Sequence, residues 1–161
     1  MIFLAVGTQF GFDRLVRAVD KAIEAGLLRE PVFAQIGPGQ YRPRYMDYAV
    51  SLEKTQFEKT LHGCRAMISH AGIGNISLAL SLQKPLLVMP RLKKYKEVVN
   101  DHQVHTARKF EQLGHIVAVY DEKDLADGIR RLETFVPVPR MPNRQGVILR
   151  IHEFIENSVK K

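Results

Sequence analysis

Two kinds of segment alternate along the chain. Short apolar runs occupy residues 2–6, 32–36, 66–69, 86–89 and 116–120. They are mostly aliphatic and lack the apolar–polar alternation of a half-exposed strand, so they suit strands buried on both faces, as in a parallel sheet. Between them lie stretches with helical spacing. Residues 13–25 place Leu15, Val16, Val19, Ala22 and Ile23 on one face, with Gly26 set to close that helix. Residues 55–64 predict a shorter helix, with Thr55 and Glu58 in capping-box spacing. Further helices are predicted over 75–82, before Pro85, and over 101–113, with Val104, Ala107, Phe110 and Leu113 on one side and Gly114 after it. Two more cover 122–135, carrying Leu125, Ile129 and Leu132, and 144–159, carrying Val147, Ile148, Ile151, Phe154 and Ile155.

Strands alternating with helices imply βαβ units and right-handed crossovers. The expected fold class is α/β: a single Rossmann-like parallel sheet with helices on both faces, spanning residues 1–135. Segment 136–142 (VPVPRMP) holds three prolines and predicts a linker over 136–143. A C-terminal helix over 144–161 is expected to pack on the same domain. Segment 37–45 (GPGQYRPRY) is the other irregular stretch.

Composition narrows this picture. A length of 161 residues suits one domain, and 45% hydrophobic residues exclude disorder of the whole chain. The single cysteine, Cys64, excludes a disulfide framework and a cysteine-based zinc site, and it fits a reducing compartment. No apolar run nears the ~18 residues of a membrane span. The run at 2–6 lacks a basic flank and reads as a strand, not as a signal peptide. With 24 Lys+Arg against 17 Asp+Glu, the net charge of +7 admits a polyanion, a phosphorylated ligand or an anionic membrane surface.

In open parallel sheets, ligands bind beyond the carboxyl ends of the strands. Three of the four segments there contain glycines: Gly7-Thr8-Gln9-Phe10-Gly11, Gly37-Pro38-Gly39 and His70-Ala71-Gly72-Ile73-Gly74-Asn75. The last is the strongest candidate. A strand runs through SHAGIGNIS (69–77) into a helix whose free N–H groups and dipole form an anion site. Gly72 and Gly74 allow close approach of a phosphate, and His70 is placed to donate to it; a plain strand–helix turn with His70 packed is the competing reading. A dinucleotide fingerprint is disfavoured: the third small position is Ser77, the segment follows a middle strand, and no acid lies about 20 positions on to take a ribose. There is no P-loop. The first loop offers a hydroxyl and backbone donors, or is an ordinary turn. Segment 90–101 carries Arg91, Lys93, Lys94 and Lys96 and ends at Asn100-Asp101-His102-Gln103; such a run is commonly a solvated face, with Asp101 a helix N-cap. His102 and His105 have no evident carboxylate companion, so no metal site is expected. No nucleophile elbow appears.

Read together, HAGIGN, KPLLVMP and NDHQ resemble the C-terminal domain of glycosyltransferase family 28, the donor-binding half of a GT-B glycosyltransferase. Within that family the chain resembles the stand-alone catalytic subunits of two-component exopolysaccharide glycosyltransferases and of the N-glycan N-acetylglucosaminyltransferase. Segments VGTQFGFDRLV (6–16) and PRLKKYKEVVNDHQ (90–103) look most like the exopolysaccharide type. The resemblance implies that Gly7 and Thr8 line the cleft near the donor phosphates. His70, Gly72, Gly74 and Asn75 hold the diphosphate of a UDP-sugar, with His70 stabilising the leaving group. His102 and Gln103 reach the sugar, and Gln56 and Phe57 lie where relatives approach the uracil. One departure is Leu78, eight residues after His70, where many GT-B enzymes carry a ribose-binding Glu.

The implied reaction is inverting sugar transfer from a UDP-sugar, without metal or cofactor, to a lipid-linked acceptor in polysaccharide synthesis. The general base usually lies on the other GT-B domain, so a membrane-anchored partner subunit is expected to supply it together with the acceptor site. This implies a cytoplasmic location, peripheral at the inner face of the membrane through the partner, with self-association of the isolated chain as a further expectation. Two alternatives stand beside this: a non-enzymatic nucleotide-binding scaffold subunit, favoured by Leu78, and a nucleic-acid binder, for which no RNP-type motif or helix-turn-helix is present.

Overall fold

The computed structural model describes residues 1–140 and 144–159. Six parallel strands form one sheet in the order β3-β2-β1-β4-β5-β6. They are β1 (Ile2–Ala5), β2 (Val32–Gln35), β3 (Asp47–Ala49), β4 (Ala66–His70), β5 (Leu86–Met89) and β6 (Val117–Ala118). The helices are α1 (Asp13–Glu24), α2 (Lys54–Gly63), α3 (Ile73–Ser81), α4 (His102–Gln112), α5 (Leu125–Thr134) and α6 (Arg144–Val159). Helices α1 and α5 pack on one face over Leu4, Ile68 and Leu87; the other face, bearing Phe3, Met67 and Val88, takes α2, α3 and α4. Every residue of β1 and β5 is buried. This is why these runs are continuously apolar: alternate residues serve opposite layers.

β1 and β4 lie side by side at the centre, with Ala5 opposite Ser69. The chain leaves β1 for α1 on one face and leaves β4 for α3 on the other, so the two connections diverge. Such a divergence opens a crevice at the carboxyl edge of the sheet.

Several boundaries differ from expectation. β3 was not expected: its three residues DYA contain no apolar run, because this short edge strand pairs only with β2 and stays largely exposed. Helix α2 begins at Lys54 with Glu53 before it and no side-chain cap, so Thr55 lies inside the helix and forms no capping box. Helix α3 starts at Ile73, two residues early, which places Gly72 at the N-cap and Gly74 and Asn75 in the first turn. A 3-10 turn, Glu122–Asp124, leads into α5. Gly26, at φ +72°, closes α1 as expected.

The segment from Val136 folds back over the end of α4. The Val138 N–H donates to Gly114 O (2.9 Å), and His115 Nδ1–H donates to Val138 O (2.7 Å). Of the expected linker, residues 141–143 lie outside the described residues, as do 160 and 161 of the expected terminal helix. The expectation that α6 packs on the domain is not met. Val147, Ile148, Ile151 and Ile155 are each more than half exposed and Phe154 is 73% exposed. Their i, i+1, i+4, i+7, i+8 spacing makes an apolar stripe that the described residues leave uncovered.

Asp20 holds the irregular segment after β2. It lies on α1, is 1% exposed, and accepts from the Tyr41 hydroxyl (2.7 Å) and from the N–H groups of Arg44 (3.0 Å) and Tyr45 (2.9 Å). That segment in turn abuts the first loop, with Gly39 against Gly11. Asp20→Ala leaves three donors without their acceptor and is expected to lose roughly 2–4 kcal/mol in urea unfolding, with Asp20→Asn losing less. A loss below about 0.5 kcal/mol, the level of an ordinary surface change, would contradict this anchoring role.

Candidate functional site

The crevice between the ends of β1 and β4 holds a cleft of about 390 Å³. Three walls form it: the first loop (Gly7 to Phe10), the start of α3, and residues from Arg91 to Gln103. Of the expected site residues, Gly7, Thr8, His70, Gly72, Gly74, Asn75, His102 and Gln103 all line it. Gln56 and Phe57 do not. Phe57 meets the Phe3 ring edge-on at 5.1 Å in the core, and Gln56 lines a separate hollow beside Phe33 and Asp47. Helix α2 turns this pair toward β1 and β2 because Phe57 completes the aromatic packing there.

Gly7 adopts φ +83°, a conformation open to glycine. Its peptide groups are not free. Buried Gln35, at the end of β2, accepts from the Gly7 N–H through Oε1 (3.1 Å) and donates through Nε2 to Gly7 O (2.9 Å) and Val50 O (3.2 Å). Gln35 therefore extends the sheet by one rung and shapes the first loop; the donors left for a ligand lie beyond Gly7, where the side chain of Thr8 is exposed.

The start of α3 is held in a similar way. The buried Ser69 hydroxyl donates to Ala5 O (2.7 Å), and Asn75 Nδ2 donates to Ser69 Oγ (2.9 Å) and Ala5 O (3.3 Å). The Asn75 amide is thus committed to bolting α3 to both central strands. The first helical bond runs from Ile76 N–H to Gly72 O, and no side chain caps the turn. Among the described residues the N–H groups of Ile73, Gly74 and Asn75 are first-turn donors without a partner, at the positive end of the helix dipole.

His70 lies across Gly7 and Gly72. A Cβ on Gly7 would sit 3.2 Å from His70 Cε1, and one on Gly72 would overlap the ring. These two glycines make the slot the imidazole occupies. Burial first, and then the Arg91 cation, pull the His70 pKa down to about 4, so the ring is neutral at neutral pH. The Ser69 hydrogen already goes to Ala5 O. The long 3.4 Å contact from Ser69 Oγ to His70 Nδ1 is a hydrogen bond only when Nδ1 carries the ring's proton. The alternative tautomer frees that one N–H for a ligand through Nε2.

The third wall was read from sequence as a solvated basic run, and this is only half correct. Lys93, Lys94 and Lys96 are exposed, but Arg91 is buried in the cleft wall. Its Nη2 donates to Val6 O and Phe10 O, both at 2.6 Å, and its main-chain N–H donates to Gln103 Oε1 (3.1 Å). The loop after it is anchored by Arg14 from α1, which forms two 2.9 Å bonds to the Glu97 carboxylate and one to Pro90 O (3.0 Å). Glu97 also accepts from Leu92 N–H. Asp101 stands at the N-cap of α4, yet its carboxylate accepts from Lys93 N–H (2.8 Å), while Asn100 Oδ1 takes the His102 N–H (3.2 Å). The burial of Arg91 is the signal missed in sequence. Its position directly after Pro90, at the end of a fully buried strand, could have revealed it.

Comparisons with known proteins agree with this geometry. Residues 1–154 match the family model described as the glycosyltransferase family 28 C-terminal domain. The UDP-N-acetylglucosamine transferase subunit ALG13 of Eremothecium gossypii (strain ATCC 10895 / CBS 109.51 / FGSC 9923 / NRRL Y-1056) is 41% identical over 76 residues, 45% of this chain and 36% of that protein. The match therefore spans just over a third of the length of that curated relative. A solution NMR structure of ALG13 superposes with a TM-score of 0.60 at 21% identity, covering 92% of this chain and 93% of that one. Acinetobacter baumannii MurG superposes with a TM-score of 0.57 at 19% identity over 82% of this chain and 40% of the larger enzyme. The sheet is thus that of the C-terminal half of a GT-B glycosyltransferase. By its sequence over nearly its whole length, and by its fold, the chain belongs to the glycosyltransferase family 28 C-terminal domain family.

Proposed function

We propose that this chain is the donor-binding, catalytic subunit of a two-component inverting glycosyltransferase. The observation that carries the reading is the uncapped start of α3, which presents its free N–H groups to a cleft shared with neutral His70 and buried Arg91. Such a site suits a diphosphate. The curated relatives are named as subunits of a UDP-N-acetylglucosamine transferase, which supports a UDP-sugar donor and a partner chain.

In this reading the diphosphate of the UDP-sugar lies against Gly72, Gly74 and Asn75, with Gly7 and Thr8 on its other side and His102 and Gln103 toward the sugar. As the bond from the anomeric carbon to the β-phosphate oxygen breaks, negative charge grows on the departing UDP. The first-turn N–H groups, Arg91 and one N–H of His70 stabilise that charge in place of a metal ion. The acceptor hydroxyl attacks from the opposite face of the sugar and gives its proton to a base on the partner subunit. That partner is membrane-anchored and presents a lipid-linked acceptor; this chain works at the cytoplasmic side of the membrane through it. The exopolysaccharide-like segments 6–16 and 90–103 favour polysaccharide assembly as the setting.

Calorimetry with UDP-N-acetylglucosamine and UDP, with and without the partner, tests the proposal. Gly72→Ala pushes a methyl group into the space of the His70 ring and is expected to weaken binding at least tenfold, about 1.4 kcal/mol. Sugar transfer by the reconstituted pair is expected to fall with it. Binding without transfer would leave a nucleotide-binding scaffold, and no binding in either condition would refute the donor site.

The His70 environment also predicts a pH signature. Its folded pKa of about 4 lies below the ordinary 6.5, so the unfolded chain takes up the proton first. The associated stability is complete above about pH 6.5 and is lost as pH falls toward 4. Between pH 7 and pH 5 the wild-type protein should lose roughly 2 kcal/mol more than His70→Asn in urea unfolding. Equal losses in the two proteins would show that the ring is not held neutral.

A further inference from the structure

Arg91 is a charged residue of the cleft wall that no acidic side chain among the described residues pairs directly. It is 4% exposed. Each of its polar partners is neutral: the carbonyls of Val6 and Phe10 at the β1 end, the Gln103 amide on α4, and the face of Phe12, whose centroid is 5.1 Å away. Its Nε is buried without an acceptor among the described residues. The acid that acts on it is Glu97, and both oxygens of that carboxylate are already held by Arg14. The remaining titratable neighbour, His70 from β4, is neutral.

A buried cation without a counter-ion costs several kcal/mol, and a buried donor without an acceptor adds to that. Pairing the Val6 and Phe10 carbonyls accounts for a donor at this position but not for a full positive charge, since a neutral donor would serve them without burying a cation. The position is explained by a negative charge that arrives with a ligand. Arg91, a cation without a counter-ion, lines the same cleft as the uncapped turn of α3, so the two positive features converge on one space. The 2.6 Å bonds to Val6 O and Phe10 O, one on each side of Gly7-Thr8-Gln9, also make Arg91 the clasp of the first loop.

We propose that Arg91 is the fixed cation of this cleft: it neutralises a bound phosphate or diphosphate and clasps the first loop around it, while His70 contributes a hydrogen bond and no charge. The inference rests on the donor-site reading above and adds to it a fixed positive charge beside the His70 contact that the family resemblance implies. Binding pairs the buried charge, so affinity depends on the cation itself and not only on the shape of the wall. The Arg91 cation also bears on the His70 ring, so removing it lets that ring protonate more readily.

The test uses the full chain with UDP, inorganic pyrophosphate and uridine as calorimetric probes, on the wild type, Arg91→Gln and Arg91→Lys. The proposal expects Arg91→Gln to weaken UDP and pyrophosphate alike by at least about 30-fold and to leave uridine unchanged. Arg91→Lys keeps the charge but not the fork, and is expected to stay within about tenfold of wild type. NMR titration of the His70 imidazole should show its pKa rising in Arg91→Gln and staying near the wild-type value in Arg91→Lys; a merely structural arginine would not separate the two variants. If Arg91→Gln does not fold, Arg91→Lys carries the test through its retained pyrophosphate affinity and unshifted imidazole. Equal loss of anion binding in both variants, or no loss in Arg91→Gln, overturns the proposal. Pyrophosphate binding that depends on Arg91, with no gain for UDP over pyrophosphate, supports the cation and instead sinks the nucleotide reading.

Discussion

The site depends on the meeting of β1 and β4 at the middle of the sheet. Their connections depart to opposite faces, one into α1 and the other into α3, so no helix covers the gap between their ends. Backbone groups there have lost their sheet partners while still lying close to a buried core. Each must be paired, and in this chain side chains supply most of the partners. Ser69 and Asn75 serve Ala5 O, Gln35 serves both peptide groups of Gly7, and Arg91 serves Val6 O and Phe10 O. The first-turn N–H groups of α3 are left over.

This pairing reorders the roles of the polar residues around the cleft. An amide side chain is the natural candidate for a ligand contact when only residue types are known. Here the amides of Gln35 and Asn75, and the Gln103 carbonyl, are occupied with the backbone, and they act by holding the walls rigid. In the proposed reading the groups left to meet the diphosphate are main-chain donors, a neutral imidazole and a buried guanidinium. A site of this kind has its charge in place before the ligand arrives, so little reorganisation is needed when charge develops on a leaving group. Arg14 and Glu97 support it from outside: by neutralising each other and pinning the loop after β5, they keep Arg91 as the cation that faces inward.

Much of this was legible in sequence because buried parallel strands advertise themselves. Five of the six strands follow from continuous apolar runs, and the glycines at 72 and 74 identify the strand–helix turn. The sixth strand, β3, is short and at the edge, where burial does not dictate composition. Polar residues that face inward were harder to see. Asp20 sits on the apolar side of α1, and Gln35 interrupts an otherwise apolar run; a pattern read for hydrophobicity passes over both. Arg91 was masked by the lysines that follow it, which are exposed and behave as a charge run should. Gln56 and Phe57 were carried over by resemblance, but packing against Phe3 takes Phe57 away from the cleft. The apolar stripe of α6 was read as core because hydrophobicity alone does not say which chain will cover it.

The central claim is that one cleft, between the first loop and the start of α3, receives the donor diphosphate. Amide chemical-shift mapping during a titration with UDP tests it most directly. The account predicts the largest shifts at Thr8, Gln9, Ile73, Gly74 and Asn75, with the Arg91 side-chain signal moving at the same ligand concentrations. Shifts concentrated instead beside Gln56, Lys59 and Phe33, with the α3 amides unmoved, would contradict it.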